Sequence, residues 1–238
     1  MASSQCYENP PTLNPASGQG CVVDDLGGLK AYTAGPSDSK LAILLAADAF
    51  GYEAPNLRKL ADKVAAAGFF VVVPDFFHGD PYVPDQKPVK TWIESHEKDK
   101  GFEDAKLVIE ALKNKGVSAI GAAGFCWGAQ VVAELAKSGY IKSAVMLHPS
   151  FVTVDDIKEV KCHIAIFGAE IDKTSPPELL KQFEEILSLK SEVNSYVKIF
   201  PGVAHGWTMR YDTSDETAVK KAEEAHQGML EWFAKHLK

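Results

Sequence analysis

Short uninterrupted apolar runs alternate along this chain with longer stretches in which apolar residues recur every three or four positions, from residue 41 almost to the C-terminus. Leu41-Ala-Ile-Leu-Leu-Ala46 is the first run; residues 69–73, the segment from Ala119 that breaks at Gly124, and residues 143–147, 162–167 and 197–200 repeat it. Runs this short and this apolar are expected of parallel strands covered on both faces. Between them Leu57, Leu60, Ala61 and Val64 fall at helical spacing after Ala54-Pro55 and before Gly68, and Phe102, Ala105, Val108, Ile109 and Leu112 do so before Gly116. Proline in a first turn and glycine beyond a last one are the expected boundaries. Further helices are expected from Gly128 and over 91–98, 177–187 and 218–237, with 82–90, broken by prolines, irregular. Upstream, residues 21–24 and 29–33 flank Leu26-Gly27-Gly28, the signature of a tight antiparallel hairpin. Residues 1–20, rich in Pro, Asn, Ser and Gly, are expected to be an extended surface arm without chemistry. The alternation predicts a single α/β domain over 1–238, a mainly parallel central sheet with helices on both faces.

Composition narrows the function more than the fold. The 238 residues are 46% hydrophobic and carry a formal net charge of -7, which argues against a nucleic-acid partner or an anionic membrane surface. Met-Ala-Ser-Ser-Gln-Cys-Tyr-Glu-Asn-Pro has neither a basic nor an apolar region of a secretory signal, so a cytoplasmic location is expected. Four cysteines, with Cys126 and Cys162 inside apolar segments, do not make a disulfide framework. Cys6 and Cys21 are near enough in sequence to pair, but free thiols are expected in a reducing compartment. No Cys/His spacing resembles a zinc site and no glycine-rich phosphate loop occurs, so neither metal nor cofactor is expected. A monomer or weak homodimer is the expected assembly.

Gly124-Phe-Cys126-Trp-Gly128 stands between a strand pattern and a helix pattern. A G-x-C-x-G turn there is the thiol form of a nucleophile elbow, in which small neighbours let the backbone reverse and the helix N-terminus favours thiolate over thiol. In a parallel sheet the partners of such a nucleophile stand at the carboxyl ends of later strands. Gly168-Ala-Glu-Ile-Asp172 follows one, and Ala204-His205-Gly-Trp207 follows the last. The order nucleophile, acid, histidine makes His205 the base and Asp172 the orienting acid, with Glu170 the alternative two residues away. His148 reads as a loop or rim residue, His163 as core or edge, and His226 and His236 lie too far apart on the last helix for an i, i+4 metal pair.

These motifs, together with Asp48-Ala-Phe-Gly51 and Pro74-Asp75, resemble the dienelactone hydrolase (carboxymethylenebutenolidase) family of the α/β-hydrolase fold, in its plant branch. The resemblance covers nearly the whole chain and implies a Cys126–His205–Asp172 triad acting on a small ester or lactone through a thioester. Elbow geometry nominates the backbone N–H groups of Trp127 and Ala49 for the oxyanion. Bacterial members carry a glutamate where this chain has Asp48, implying a resting-state role for Asp48. A shorter carboxylate is expected to hold the sulfur less, leaving Cys126 with a depressed pKa. Arg210 stands only approximately where family arginines hold a substrate carboxylate, and Phe50, Phe76, Phe77, Trp127 and Trp207 are candidate pocket walls. The alternatives are an endo-1,3;1,4-β-glucanase, as some plant relatives are labelled, and a non-catalytic small-molecule binder.

Overall fold

A computed structural model describes residues 3–238. The apolar runs form the middle of one eight-stranded sheet, in the order β1-β2-β4-β3-β5-β6-β7-β8. β1 (Cys21–Leu26) and β2 (Leu29–Ala34) are the expected hairpin, and β2 also pairs antiparallel with β4 (Phe70–Pro74). All remaining pairs, through β3 (Leu41–Ala46), β5 (Ala119–Phe125), β6 (Ser143–Leu147), β7 (His163–Ile171) and β8 (Ser195–Ala204), are parallel.

Because strand side chains alternate, each central strand feeds two cores. Ile43 and Leu45 join α1 (Pro55–Ala66) and α7 (Glu216–His236) through Leu57, Val64, Met229 and Phe233. Ala42, Leu44 and Ala46 face α3 (Lys98–Asn114), α4 (Gly128–Ser138) and α6 (Pro177–Ser188) through Ile109, Val132 and Leu180. Two short helices, α2 (Val89–Ser95) and α5 (Val154–Lys158), complete the set; α5 was not expected and is only five residues, opened by a Thr153–Asp156 capping box. No helix among the described residues is long and apolar enough to cross a membrane.

The arm corrects the sequence reading. Residues 3–20 do not lie loosely on the surface: Ser4–Tyr7 forms a 3-10 turn that buries Gln5 and Cys6. Arg58 donates to the carbonyls of Pro15 and Ser17, and Arg210 to those of Gln5 and Glu8. Cys6 is buried beside Ser150 and Thr174 whereas Cys21 is exposed beside Thr33, and all four cysteines are free.

Candidate active site

Register brings the loops together. Ala46 pairs with Gly124, Phe125 with Leu147, and Leu147 with Phe167, so the segments leaving β3, β5, β6 and β7 start near one level at the carboxyl edge. β4 and β5 lie on opposite sides of β3, which makes this the switch point where α/β sheets open a crevice. There Cys126 adopts φ 50°, a left-handed conformation that costs a non-glycine residue about 1–2 kcal/mol. Its N–H donates to Leu147 O at 3.2 Å and its carbonyl accepts from Ser150 N at 3.0 Å, which pins the turn. A side chain at Gly124 would collide with the backbone of Gly128, and one at Gly128 with the Ala46 carbonyl. Both glycines are thus demanded by close approach, as the elbow reading required.

β7 and β8 run on past their neighbours, and their last pair is Ile171 with Ala204. The next residues are Asp172 and His205, set side by side by that pairing. His205 Nδ1 bonds to Asp172 Oδ2 at 2.7 Å with both side chains fully buried, and Asp172 Oδ1 accepts from the N–H groups of Thr174 and Ser175. Glu170 points elsewhere, accepting from Gly202 N at 2.7 Å. With Nδ1 engaged, His205 turns Nε2 toward Ser150 Oγ, 3.5 Å away.

Two residues that sequence reasoning missed complete the cluster. Ser150 Oγ lies 3.3 Å from Cys126 Sγ and 3.2 Å from Cys6 Sγ. The two sulfurs and a His205 ring nitrogen lie within 4.8 Å of one another, all buried. The hydrogen bond from Cys126, aided by His205, pulls the Cys6 thiol down to about 3 in spite of burial. Burial and the neighbouring Cys6 sulfur push Cys126 well above its ordinary value, the reverse of the depressed pKa expected for it. Burial works against a charged His205, but its hydrogen bonds to Asp172 and Cys6 outweigh it and raise the imidazole. The cluster therefore favours one thiolate–imidazolium pair, shared between the two coupled sulfurs and His205. Ser150 was detectable, since it follows the carboxyl end of a strand; Cys6 carried no local signal.

The profile of the Dienelactone hydrolase family matches residues 29–237. The chain belongs to this family. It is 47% identical over 197 residues to a Zea mays protein named Endo-1,3;1,4-beta-D-glucanase, an alignment that takes in 81% of this chain but 64% of the maize protein. It is 32% identical over 229 residues to a Xenopus tropicalis Carboxymethylenebutenolidase homolog, covering 93% of this chain and 92% of that one. A putative dienelactone hydrolase structure from Klebsiella pneumoniae superposes with a TM-score of 0.72 at 20% identity, over 87% of this chain and 93% of that one, and shares the α/β-hydrolase fold.

Two expectations drawn from the dienelactone hydrolase family change on contact with the structure. Asp48 accepts from Phe50 N at 3.1 Å and stands 3.5 Å from Arg210 Nε; no sulfur is among its hydrogen-bond partners within the described residues. Burial raises its pKa, and Arg210 works against that rise. Arg210 gives Nη1 to the arm carbonyls and sets Nε against Asp48, while Nη2 is buried with no hydrogen-bond partner among the described residues. Among the candidate walls, Phe77 and Trp127 pack edge to face with centroids 4.7 Å apart inside an aromatic cluster with Trp92, so both are core. Trp207 packs on His148. His148 itself is no rim residue: it is fully buried and bonded to Thr208 Oγ1 at 2.7 Å.

Proposed function

We propose that the protein hydrolyses a small ester or lactone, with Cys126 as nucleophile, His205 as general base and acid, and Asp172 as the group that orients and charges His205. The observation that carries this reading is a thiol on a strained, glycine-flanked elbow beside a histidine whose far nitrogen is bonded to a buried carboxylate. With the arm lifted and the Cys6 sulfur no longer paired with the imidazole, neutral His205 takes the Cys126 proton on Nε2, directly or through Ser150 Oγ, and the sulfur attacks the carbonyl carbon. The backbone N–H groups of Ala49 and Trp127, which have no backbone partner among the described residues, receive the oxyanion. One such donor is worth about 3 kcal/mol of barrier. Collapse gives a thioester and an alkoxide that takes the His205 proton; water activated by the same histidine then releases the acid and the thiol.

Cys126 is 1% exposed beneath the arm turn, so turnover requires Ser4–Tyr7 to lift. Outside that turn lies a cleft of about 930 Å³ lined by Tyr7, Val89, Ile93, Phe151, Val152 and Leu179 among others. Its inner wall reaches Thr174, 3.4 Å from Cys6 Sγ. Such a lining suits an apolar acyl or alcohol group, with Lys90 on the cleft wall as a cation beside it.

A glucanase reading follows from the maize relative's name. That chemistry needs two available carboxylates roughly 5–9.5 Å apart, whereas Asp48 is engaged by Arg210 and Asp75 by the N–H groups of Phe77 and Gly79. One preparation assayed on p-nitrophenyl esters, an aryl lactone and mixed-linkage glucan, beside Cys126→Ala, tests both. Ester or lactone turnover lost in the variant is expected. Glucan cleavage that survives Cys126→Ala, or no turnover of any ester or lactone, overturns the proposal.

A further inference from the structure

The arm thiol is the feature the hydrolytic reading does not use. Cys6 belongs to none of the steps above, yet it is buried at 1% exposure against the nucleophile and the base. Ser150 Oγ lies 3.2 Å from Cys6 Sγ, 3.3 Å from Cys126 Sγ and 3.5 Å from His205 Nε2. Two sulfurs, one imidazole nitrogen and one oxygen thus form a four-donor cluster in which no separation exceeds 4.8 Å. A zinc shell with bonds of about 2.3 Å to sulfur and about 2.0 Å to nitrogen or oxygen has edges of roughly 3.3–3.8 Å. The three Ser150 edges match it or need a few tenths of an ångström, and the remaining edges are bounded by 4.8 Å.

We infer that Cys6, Cys126 and His205, closed by Ser150, form a binding site for a thiolate-preferring divalent ion of the Zn2+ class. Three features of the site support it beyond distance. Two thiolates neutralise the charge of a dication, so a buried filled site carries no net charge from metal and sulfur. The His205 ring is held by Asp172 on Nδ1, the carboxylate–histidine arrangement that fixes a metal-binding imidazole in its tautomer. The donor set, soft sulfur with imidazole, favours zinc over magnesium or calcium. Binding removes the remaining thiol and imidazolium protons to solvent, and the ion forms bonds to both sulfurs and Nε2 without any redox change. A motif search misses the site because its ligands come from residues 6, 126 and 205.

An ion there occupies nucleophile and base together, so the metal-filled protein is a silenced hydrolase that a chelator reactivates. That consequence rests on the function proposed above; the site itself does not.

The reduced full-length protein, its free thiols counted beforehand, is titrated with Co2+ and then challenged with Zn2+. One Co2+ per chain is expected, with tetrahedral ligand-field bands and thiolate-to-cobalt charge transfer, all lost on adding one equivalent of Zn2+. Asp172→Asn is expected to weaken binding about 10–100-fold, Cys6→Ser by at least that much, and Cys21→Ser not at all. A cobalt complex without thiolate bands, or equal affinity in Cys6→Ser, overturns the site. Because Cys6→Ser can also loosen the arm, the unaltered protein supplies a second reading. Zn2+ should shield Cys6 and Cys126 together from alkylation while Cys21 reacts as before, and shielding of Cys126 alone sinks the proposal. Thiolate–cobalt bands in a protein that hydrolyses nothing remove only the hydrolase reading; hydrolysis without those bands removes only the metal site.

Discussion

The elbow at Cys126 and the arm turn at Cys6 bring two sulfurs to one spot by opposite means. The elbow is built from its immediate neighbours: two glycines, a strand before and a helix after, and main-chain bonds to the adjacent β6 connection. The arm turn is four residues long, has no side-chain cap, and is held by residues 144 to 205 positions away, Ser150, Thr174, Ile171 and Arg210 among them. A local device fails only with the sheet. A device made of a few long-range hydrogen bonds opens by itself, at a cost set by those bonds and not by global stability. The rigid sulfur suits attack, and the detachable one suits control of access.

The sharpest way to break this contrast is to ask whether Cys6 can replace Cys126. It stands near His205 but has no elbow donors behind it. Cys126→Ala should therefore lose about a thousandfold or more in ester turnover, with His205→Ala comparable, Asp172→Asn somewhat less affected, and Glu170→Gln near parental rates. Steady-state kinetics settle it: activity that persists in Cys126→Ala and disappears in the Cys6→Ala, Cys126→Ala double variant would move the nucleophile to the arm.

Gly128→Ala attacks the rigid side alone. The new methyl meets a main-chain carbonyl of β3 that has no room to yield, so a loss of about 2–3 kcal/mol is expected by urea unfolding. Gly139→Ala, with open space around its position but φ 77°, provides a control for backbone conformation without collision. Equal losses in the two variants would mean that the elbow is not tightly packed.

This asymmetry also explains what the sequence disclosed. β3, β5 and β6 are buried on both faces and read as plain apolar runs, and the elbow glycines stand within two residues of the thiol they serve. β8 is an edge strand with mixed burial, so only its apolar middle was visible and its true span, Ser195–Ala204, exceeds the expected 197–200. β7 likewise runs on through Glu170 and the exposed Ile171, and that extension is what sets Asp172 beside His205. α5 was too short for periodicity. Cys6 was invisible because proline- and serine-rich composition describes how a segment folds alone, not what other elements hold it.

Between the rigid and detachable parts runs Ala204–Tyr211, which carries His205 for one and Arg210 for the other. Thr208 is gripped from below, its hydroxyl by His148 and its carbonyl by the Nε2–H of His226. Burial lowers His226 from 6.5 to about 4, opposed by the Thr208 carbonyl and reinforced by Lys63; the Tyr211 ring lies 6.3 Å away. The folded pKa is below the unfolded one, so the unfolded chain binds the proton more readily between these values. Stability from this group is complete above about pH 6.5 and is lost as pH falls, by about 2 kcal/mol at pH 5 and about 3 at pH 4. His226→Gln should flatten the pH dependence of urea stability in that window, and an unchanged slope would show that His226 is not held neutral by the fold.

The smallest expected effect tests the arm most directly. The Gln5 side chain donates to Ile171 O at 3.1 Å and accepts from Lys173 N at 2.7 Å, tying the turn to the segment that carries Asp172. Each bond is worth about 1 kcal/mol net, so Gln5→Ala should favour the lifted arm by about 1–2 kcal/mol, roughly 5- to 30-fold in population. If lifting is fast beside labelling, the rate at which a neutral alkylating agent modifies Cys6 rises by the same factor, because labelling samples the open population. The melting temperature should hardly move, since the arm contributes little to the two cores. Mass mapping of alkylated peptides over time, parent beside variant, reads Cys6 and Cys126 separately. Both should accelerate together if the turn shields both sulfurs as one lid. Acceleration of Cys6 with Cys126 unchanged would mean that Cys126 is shielded by its elbow, and that the two regions are independent barriers.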